Sequence, residues 1–226
     1  INSLCEVLTQ DTNPIRQLDI AATEMTDQGF GCLTQALKQG ANITVLKIGH
    51  NRLSDNCIIE FAAAITNSTL LELDIRDCDI TSAGSAALTQ SLPKSKISRI
   101  TLDGNSLTDS GAQQIAQSLV TPFPGNDHLD RYMNRDQIRA LRAANATTPI
   151  YHLSLAGTNI STTGARALCR VMPDLPISMH NFTLTQNPIN PLQVDPTNCW
   201  MTSSGSKSGT TFLSGSTRPS AGLVEG

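Results

Sequence analysis

The chain has 226 residues, with 16 Lys and Arg against 19 Asp and Glu, for a formal net charge of −3 at pH 7. That length can bury a sizeable core in one domain or one short solenoid. Charged residues make up only 15% and aromatics 4%, so nucleic acid and anionic membrane surfaces have no basic footprint to bind. No apolar run reaches the roughly 18 residues that a membrane span needs.

Six cysteines stand at positions 5, 32, 57, 78, 169 and 199, with no CxxC pair and no metal-ligand spacing. They read as isolated, buried and reduced thiols, which fits a reducing, cytoplasmic setting. Neither a metal nor a cofactor is expected. The first residue is Ile1 rather than Met, which reads as a fragment or a processed product.

In chain order, residues 1–14 carry Leu4 and Leu8 at helical spacing ahead of Pro14, the pattern of a capping helix from a truncated repeat. From Ile15 one motif recurs: apolar-xx-apolar-x-apolar-xx-(Asn, Thr or Cys)-x-apolar-xxx-Gly-xxx-apolar-xxx-apolar. Its copies open at Ile15, Ile43, Leu70, Ile97 and Ile150, with a partial copy at Met179, at spacings of 28, 27, 27, 53 and 29. Each copy joins a Leu-x-Leu strand period to a four-residue helical step. One strand and one helix cannot bury their apolar stripe alone, so the copies must stack and share a core.

The polar slot (Thr23, Asn51, Cys78, Asn105, Thr158 and Asn187) is expected to point inward and satisfy turn backbone groups. Glycines at 29, 84, 111 and 164 open the helices, where a missing side chain allows strand and helix to approach; Cys57 takes that place in the second copy. Between Ile97 and Ile150 the spacing nearly doubles. Pro122, Pro124 and Gly125 would break a strand there, and Arg131, Arg135, Arg139 and Arg142 follow, so residues 120–149 read as an inserted loop and helix. Beyond Ile189, residues 191–200 read as a cap anchored by Trp200, and 202–226 as a Ser/Gly/Thr-rich flexible tail. The expected partition is therefore 1–14, 15–190 and 191–226.

This motif resembles the leucine-rich repeat, specifically the ribonuclease-inhibitor-like subclass with a full helix after each strand. The resemblance covers about residues 15–190 and implies an α/β solenoid: a curved right-handed β-α superhelix with a parallel sheet inside the bend and helices outside. Curvature also follows from spacing, because strands stack about 4.8 Å apart while helices need about 8–10 Å.

On each strand the residues between the buried leucines face the open inner wall. That places Lys47, Glu72, Asp74, Arg76, Asp77, Arg99 and Asp103 on the wall, with Asp19 and His50 at its edge and Tyr151 and His152 toward its neutral end. Neighbours of opposite sign, Asp19–Lys47–Asp74 and Glu72–Arg99, are expected to pair across strands. No catalytic constellation emerges. The histidines at 50, 128, 152 and 180 are scattered, and Cys78 is predicted to be buried in the turn ladder rather than nucleophilic. Asp74, Asp77 and Asp103 could share a space, but an open arc lacks the dry pocket that acid–base chemistry needs.

The resemblance implies a monomeric, non-enzymatic module that binds a protein partner on its concave face, without nucleic acid, membrane or cofactor. The alternatives are a GTPase-activating-type regulator and the substrate-recognition arm of a larger enzyme such as a ubiquitin ligase. The neutral helices and the low-complexity tail are similar to those of secreted bacterial effectors that act in a host cytoplasm.

Overall fold

The computed structural model describes residues 2–10, 13–119, 152–171, 181–190, 194, 200–203 and 210–213. Each Leu-x-Leu pair forms a three-residue strand: β1 (Gln17–Asp19), β2 (Val45–Lys47), β3 (Glu72–Asp74), β4 (Arg99–Thr101), β5 (His152–Ser154) and β6 (Asn181–Thr183). The six pair in sequence order, all parallel. Leu18, Leu46, Leu73, Ile100, Leu153 and Phe182 stand in one register row. From Leu46 onward that row is no more than 1% exposed.

Helices follow the strands. They are α1 (Asn2–Leu8), α2 (Asp27–Lys38), α3 (Asp55–Ile65), α4 (Ser82–Ser91), α5 (Thr108–Leu119) and α6 (Thr162–Val171). Each packs on the next in the stack, and Phe30 of α2 meets Phe61 of α3 with ring centroids 5.0 Å apart. Core residues from all copies form one continuous cluster. The chain is thus a one-dimensional stack of strand–helix units, in which each layer is closed by its neighbours.

From Asn51 onward the polar slot works as expected, with a two-repeat alternation, whereas Thr23 of the first copy is exposed rather than turned inward. Asn105 Oδ1 accepts from the N–H groups of Cys78 and Ile80, both at 3.0 Å, while its Nδ2 donates to the carbonyls of Ile75 (2.9 Å) and Leu102 (2.8 Å). Asn51 ties its own turn to that of Thr23 in the same way, and Asn187 ties to the turn of Thr158. Each asparagine closes two turns, so the copies between them need only Thr or Cys.

After each strand the third residue is left-handed: Ala22, His50, Asp77, Gly104, Gly157 and Gln186 have φ between 48° and 68°. Glycine relieves the strain at two of these six. The loop backbones continue the ladder, with Asp77 N–H donating to Asp103 O (2.8 Å) and Gly104 N–H to Ala156 O (2.8 Å).

Four expectations need correction or completion. At Gly84 and Gly164 the missing side chain makes room for a carboxylate rather than for a strand. A Cβ at Gly84 would stand 2.4 Å from Asp55 Oδ1, and one at Gly164 2.6 Å from Asp109 Oδ1. The space is taken by a second polar ladder. Asp27 accepts from Ser54 N–H (3.0 Å), Asp55 from Thr81 N–H (3.0 Å), and Asp109 from Ser161 N–H (2.7 Å). The first turn of one helix thereby satisfies an amide at the N-cap of the next, one of the groups a helix leaves open.

Second, β4 pairs directly with β5, in the register Arg99↔His152, and α5 packs on α6. The wide spacing therefore adds no layer between them; the predicted loop and helix at 120–149 lie outside the described residues. Third, β7 (Trp200–Ser203) and β8 (Thr210–Leu213) form an antiparallel hairpin whose β8 pairs with β6. This departs from the expected tail. The edge of β6 offers unpaired backbone groups, and Thr210–Leu213 is a run of β-branched and aromatic residues in a polar stretch.

Fourth, Cys169 is disulfide-bonded, so the reading of all six cysteines as reduced fails there; its bonding partner lies outside the described residues. Cys78 behaves as predicted. It is fully buried, its Sγ lies 3.3 Å from Arg76 O, and burial pushes its thiol up to about 11. Among the described residues, no helix is long and apolar enough to cross a membrane.

Candidate functional site

The strands are three residues long, so each presents two side chains to the inner wall and buries the one between. The loop that follows carries two more residues past the strand end. Parallel pairing sets these positions in rows: Gln17–Val45–Glu72–Arg99–His152 and Asp19–Lys47–Asp74–Thr101–Ser154. The wall has two halves. Over β1–β4 it is charged; over β5 and β6 it carries Ser154, Thr183 and, in the loops, Ala156, Gly157 and Thr185. Thr101 and Ser154, at 8% and 7% exposed, are floor rather than contact surface.

Ion pairing within the charged half differs in part from the expectation. Glu72 and Arg99 do pair across β3 and β4, at 3.7 Å. Asp74, however, is held by Arg76 of its own copy rather than by Lys47. Arg76 Nη2 donates to Asp74 Oδ2 at 2.6 Å and Nε to both carboxylate oxygens at 2.9 and 3.0 Å. A guanidinium fork two residues away matches a carboxylate better than a lysine ammonium on the next strand. Lys47, half-buried between Asp19 and Asp74 in the register, has no carboxylate within 4.0 Å among the described residues.

Around Arg76 the predicted residues converge. Its side chain lies over Gly49, where a Cβ would come 2.8 Å from Arg76 Cγ. The Asp74 hydrogen bond above all, with the charges of Asp103 and Asp77 added, raises the guanidinium above its ordinary value. The three carboxylates expected to share a space therefore do so around one cation, Arg76. Asp77 also meets His50 Nδ1 at 3.4 Å. Asp103 accepts from Ala156 N–H at 2.8 Å, and Asp19 from Ala21 N–H at 3.2 Å, so both carboxylates also hold loop backbone.

His152 faces Arg99 in the register. Burial first, and the Arg99 charge second, hold its imidazole below the usual value and hence neutral at pH 7. Tyr151 lies outside the described residues, as do His128 and His180. Among the described residues, no three His, Cys, Asp or Glu side chains could together hold a metal ion. One pair was not foreseen. Arg52 and Asp79, 3.8 Å apart and 95% and 73% exposed, follow the polar slot in consecutive copies and extend the charged loop edge. Their signal was position: each stands one residue after Asn51 or Cys78.

The sequence matches a family model described as leucine-rich repeat over residues 66–88 and 149–169. It is 32% identical over 114 residues to NACHT, LRR and PYD domains-containing protein 4B of Mus musculus, covering 49% of this chain and 13% of that protein. Against NACHT, LRR and PYD domains-containing protein 5 of Homo sapiens the identity is 22% over 196 residues, 82% of this chain and 16% of that protein. Against the ribonuclease inhibitor of Sus scrofa it is 26% over 152 residues, 65% of this chain and 33% of that protein. The chain thus spans a third or less of the length of these relatives.

Proposed function

We propose, for a chain that is a leucine-rich-repeat protein of the ribonuclease-inhibitor-like kind, that it is a non-enzymatic module which docks a protein partner on its strand face. The observation that carries this reading is the fixed charge cluster around Arg76. A bidentate Arg76–Asp74 pair, with Asp77 and Asp103 beside it, stands on a rigid parallel sheet that no other element of the described chain covers. Side chains already held in one rotamer lose little entropy on binding. Charges arranged this way set the partner's choice and its association rate more than the final affinity. The pig and mouse relatives named ribonuclease inhibitor are, by that name, proteins that act on another protein, and the same mode of use is the reading adopted here.

The docking residues are Asp19, Lys47, His50, Glu72, Asp74, Arg76, Asp77, Arg99, Asp103 and His152, with Tyr151 at the neutral end. The protein acts as a monomer; the disulfide at Cys169 speaks against the reducing, cytoplasmic compartment that isolated thiols would suggest. The test separates docking from folding. Lys47→Ala with Asp77→Asn removes one cation and one carboxylate that hold no backbone; asparagine tolerates the left-handed backbone at 77. Partners retained by the immobilised chain from its own cell extract are identified and rebound to the purified variant. Loss of binding with an unchanged melting curve supports the reading. Retained binding, here and in Arg99→Ala, overturns it.

A further inference from the structure

On the helix side of the stack, the contact between α1 and α2 differs from the others in its chemistry. Cys5, Glu6 and Thr9 of α1 and Cys32, Gln35 and Gln39 of α2 line one open groove of about 230 Å³. Both cysteines are thiols. Cys5 is 9% exposed and Cys32 is half-buried, so a small molecule entering the groove reaches Cys32 first. Burial, and after it the proximity of Cys32, raises the Cys5 thiol above its ordinary value.

The repeat fixes how the two thiols face each other. Leu4 and Leu33 are counterparts in consecutive copies, so Cys5 is level with Thr34. Cys32 lies two residues from that level, about 3 Å of helix rise. Along the stack the equivalent pairs are Thr34–Glu60, Ala62–Ala87, Thr89–Gln114 and Ala116–Ala167. Two of these are Ala–Ala, side chains small enough for neighbouring backbones to come close. Close backbones are what a disulfide requires, with Cα atoms about 4.4–6.8 Å apart. Of the five pairs, the one between α1 and α2 carries two sulfurs. The slot of Cys5 is also that of Cys169, each following a leucine of its helix, Leu4 or Leu168. Cys169 is disulfide-bonded, so a cysteine in this slot is open to a second sulfur, in a setting where thiols are oxidised.

We propose that Cys5 and Cys32 form a reversible disulfide that ties α1 to α2. The oxidant is a low-molecular-weight disulfide such as glutathione disulfide. The Cys32 thiolate attacks one of its sulfurs and releases one glutathione. Cys5 then loses its proton to solvent, attacks the Cys32 sulfur and expels the second glutathione. Two protein thiols become one disulfide, and their two electrons and two protons pass to the two glutathione thiols. An excess of a dithiol reductant reverses both steps. The site lies on the helix side and does not depend on the docking reading.

Peptide mapping of the 226-residue chain tests it. The folded chain is equilibrated in glutathione buffers of graded oxidation, its remaining thiols are alkylated, and it is cut with trypsin for mass spectrometry. Cleavage after Arg16 and Lys38 leaves Cys5 in residues 1–16 and Cys32 in 17–38, one cysteine in each. The expected product is these two peptides joined, two hydrogens lighter than their sum, and separated again by dithiothreitol. It should form at a glutathione disulfide level roughly tenfold or more below that needed to link either cysteine to Cys57 or Cys78. In the folded chain, amide exchange across α1 should slow by roughly tenfold on oxidation. Glutathione adducts at Cys32 without the joined peptide overturn the proposal. So does a joined peptide that forms as readily in concentrated urea as in the folded chain, because the fold would then play no part in bringing the thiols together.

Discussion

Asn105→Ala is the sharpest probe of what holds the turns together. The side chain is 1% exposed and occupies a space lined by two amides and two carbonyls. Truncation leaves the N–H groups of Cys78 and Ile80 buried without an acceptor. Each such loss costs about 1–3 kcal/mol, so the sum is about 4 kcal/mol, before any relaxation of the turn. In a chain of this length about 1 kcal/mol corresponds to roughly 2–4 °C, so the melting point falls by roughly 8–16 °C. The internal control is Thr23→Ala at the same slot of the first copy. There the residue is exposed and its hydroxyl donates to Ile20 O (2.9 Å), with Asn51 Oδ1 a longer second acceptor at 3.5 Å, and the expected loss is within about 0.5 kcal/mol. Urea unfolding followed by circular dichroism measures both. A loss below about 1 kcal/mol for Asn105→Ala, or equal losses for the two variants, refutes the view that asparagine satisfies the turns.

Other outcomes follow from the same structure. Gly164→Ala must place a methyl 2.6 Å from Asp109 Oδ1 and 2.9 Å from Ala112 Cβ, which costs about 1–3 kcal/mol. Gly31→Ala, with nothing within 4 Å of the new methyl, stabilises α2 by about 0.5–1 kcal/mol; thermal unfolding of the two variants should move in opposite directions. Asp109→Ala removes the acceptor of Ser161 N–H (2.7 Å) and Ser161 Oγ (2.6 Å). It should lower stability by about 1–2 kcal/mol and raise amide exchange at Ser161. His152 titrates below the usual histidine value of about 6.5, so protonation favours the unfolded chain. Its contribution is complete above the unfolded value and is lost as pH falls through the folded one. His152→Gln should remove that part of the acid sensitivity, and a nuclear magnetic resonance titration should give a midpoint below that of a free imidazole.

The stack was legible because its causes are local and repeated. Leu46, Leu73 and Ile100 announce their strands by alternation, and Asn51 and Asn105 announce their turns by being the only polar residues at an otherwise apolar spacing. The wall residues followed directly, since strand alternation fixes which side chains face out. What the sequence hid depends on contacts between copies. Asp27, Asp55 and Asp109 each cap a helix in the next copy, a partnership invisible to a scan for apolar period. The pairing of Asp74 with Arg76 rather than Lys47 turned on guanidinium geometry, which charge order along a row does not encode. The β7–β8 hairpin lies in a Ser- and Gly-rich stretch whose composition argued against order, yet the unpaired edge of β6 supplies the partner. The disulfide at Cys169 had no spacing signature to mark it.

The whole account requires β4 and β5 to be neighbours although 53 residues separate their copies. The hydrogen bond from Leu102 N–H to Ser154 O (2.9 Å) can be observed directly as a scalar coupling between the Leu102 nitrogen and the Ser154 carbonyl carbon. A resolved coupling between those two residues is the predicted result. A coupling from Leu102 to the carbonyl of any other residue would contradict the stacking, and with it the charged face that the stacking assembles.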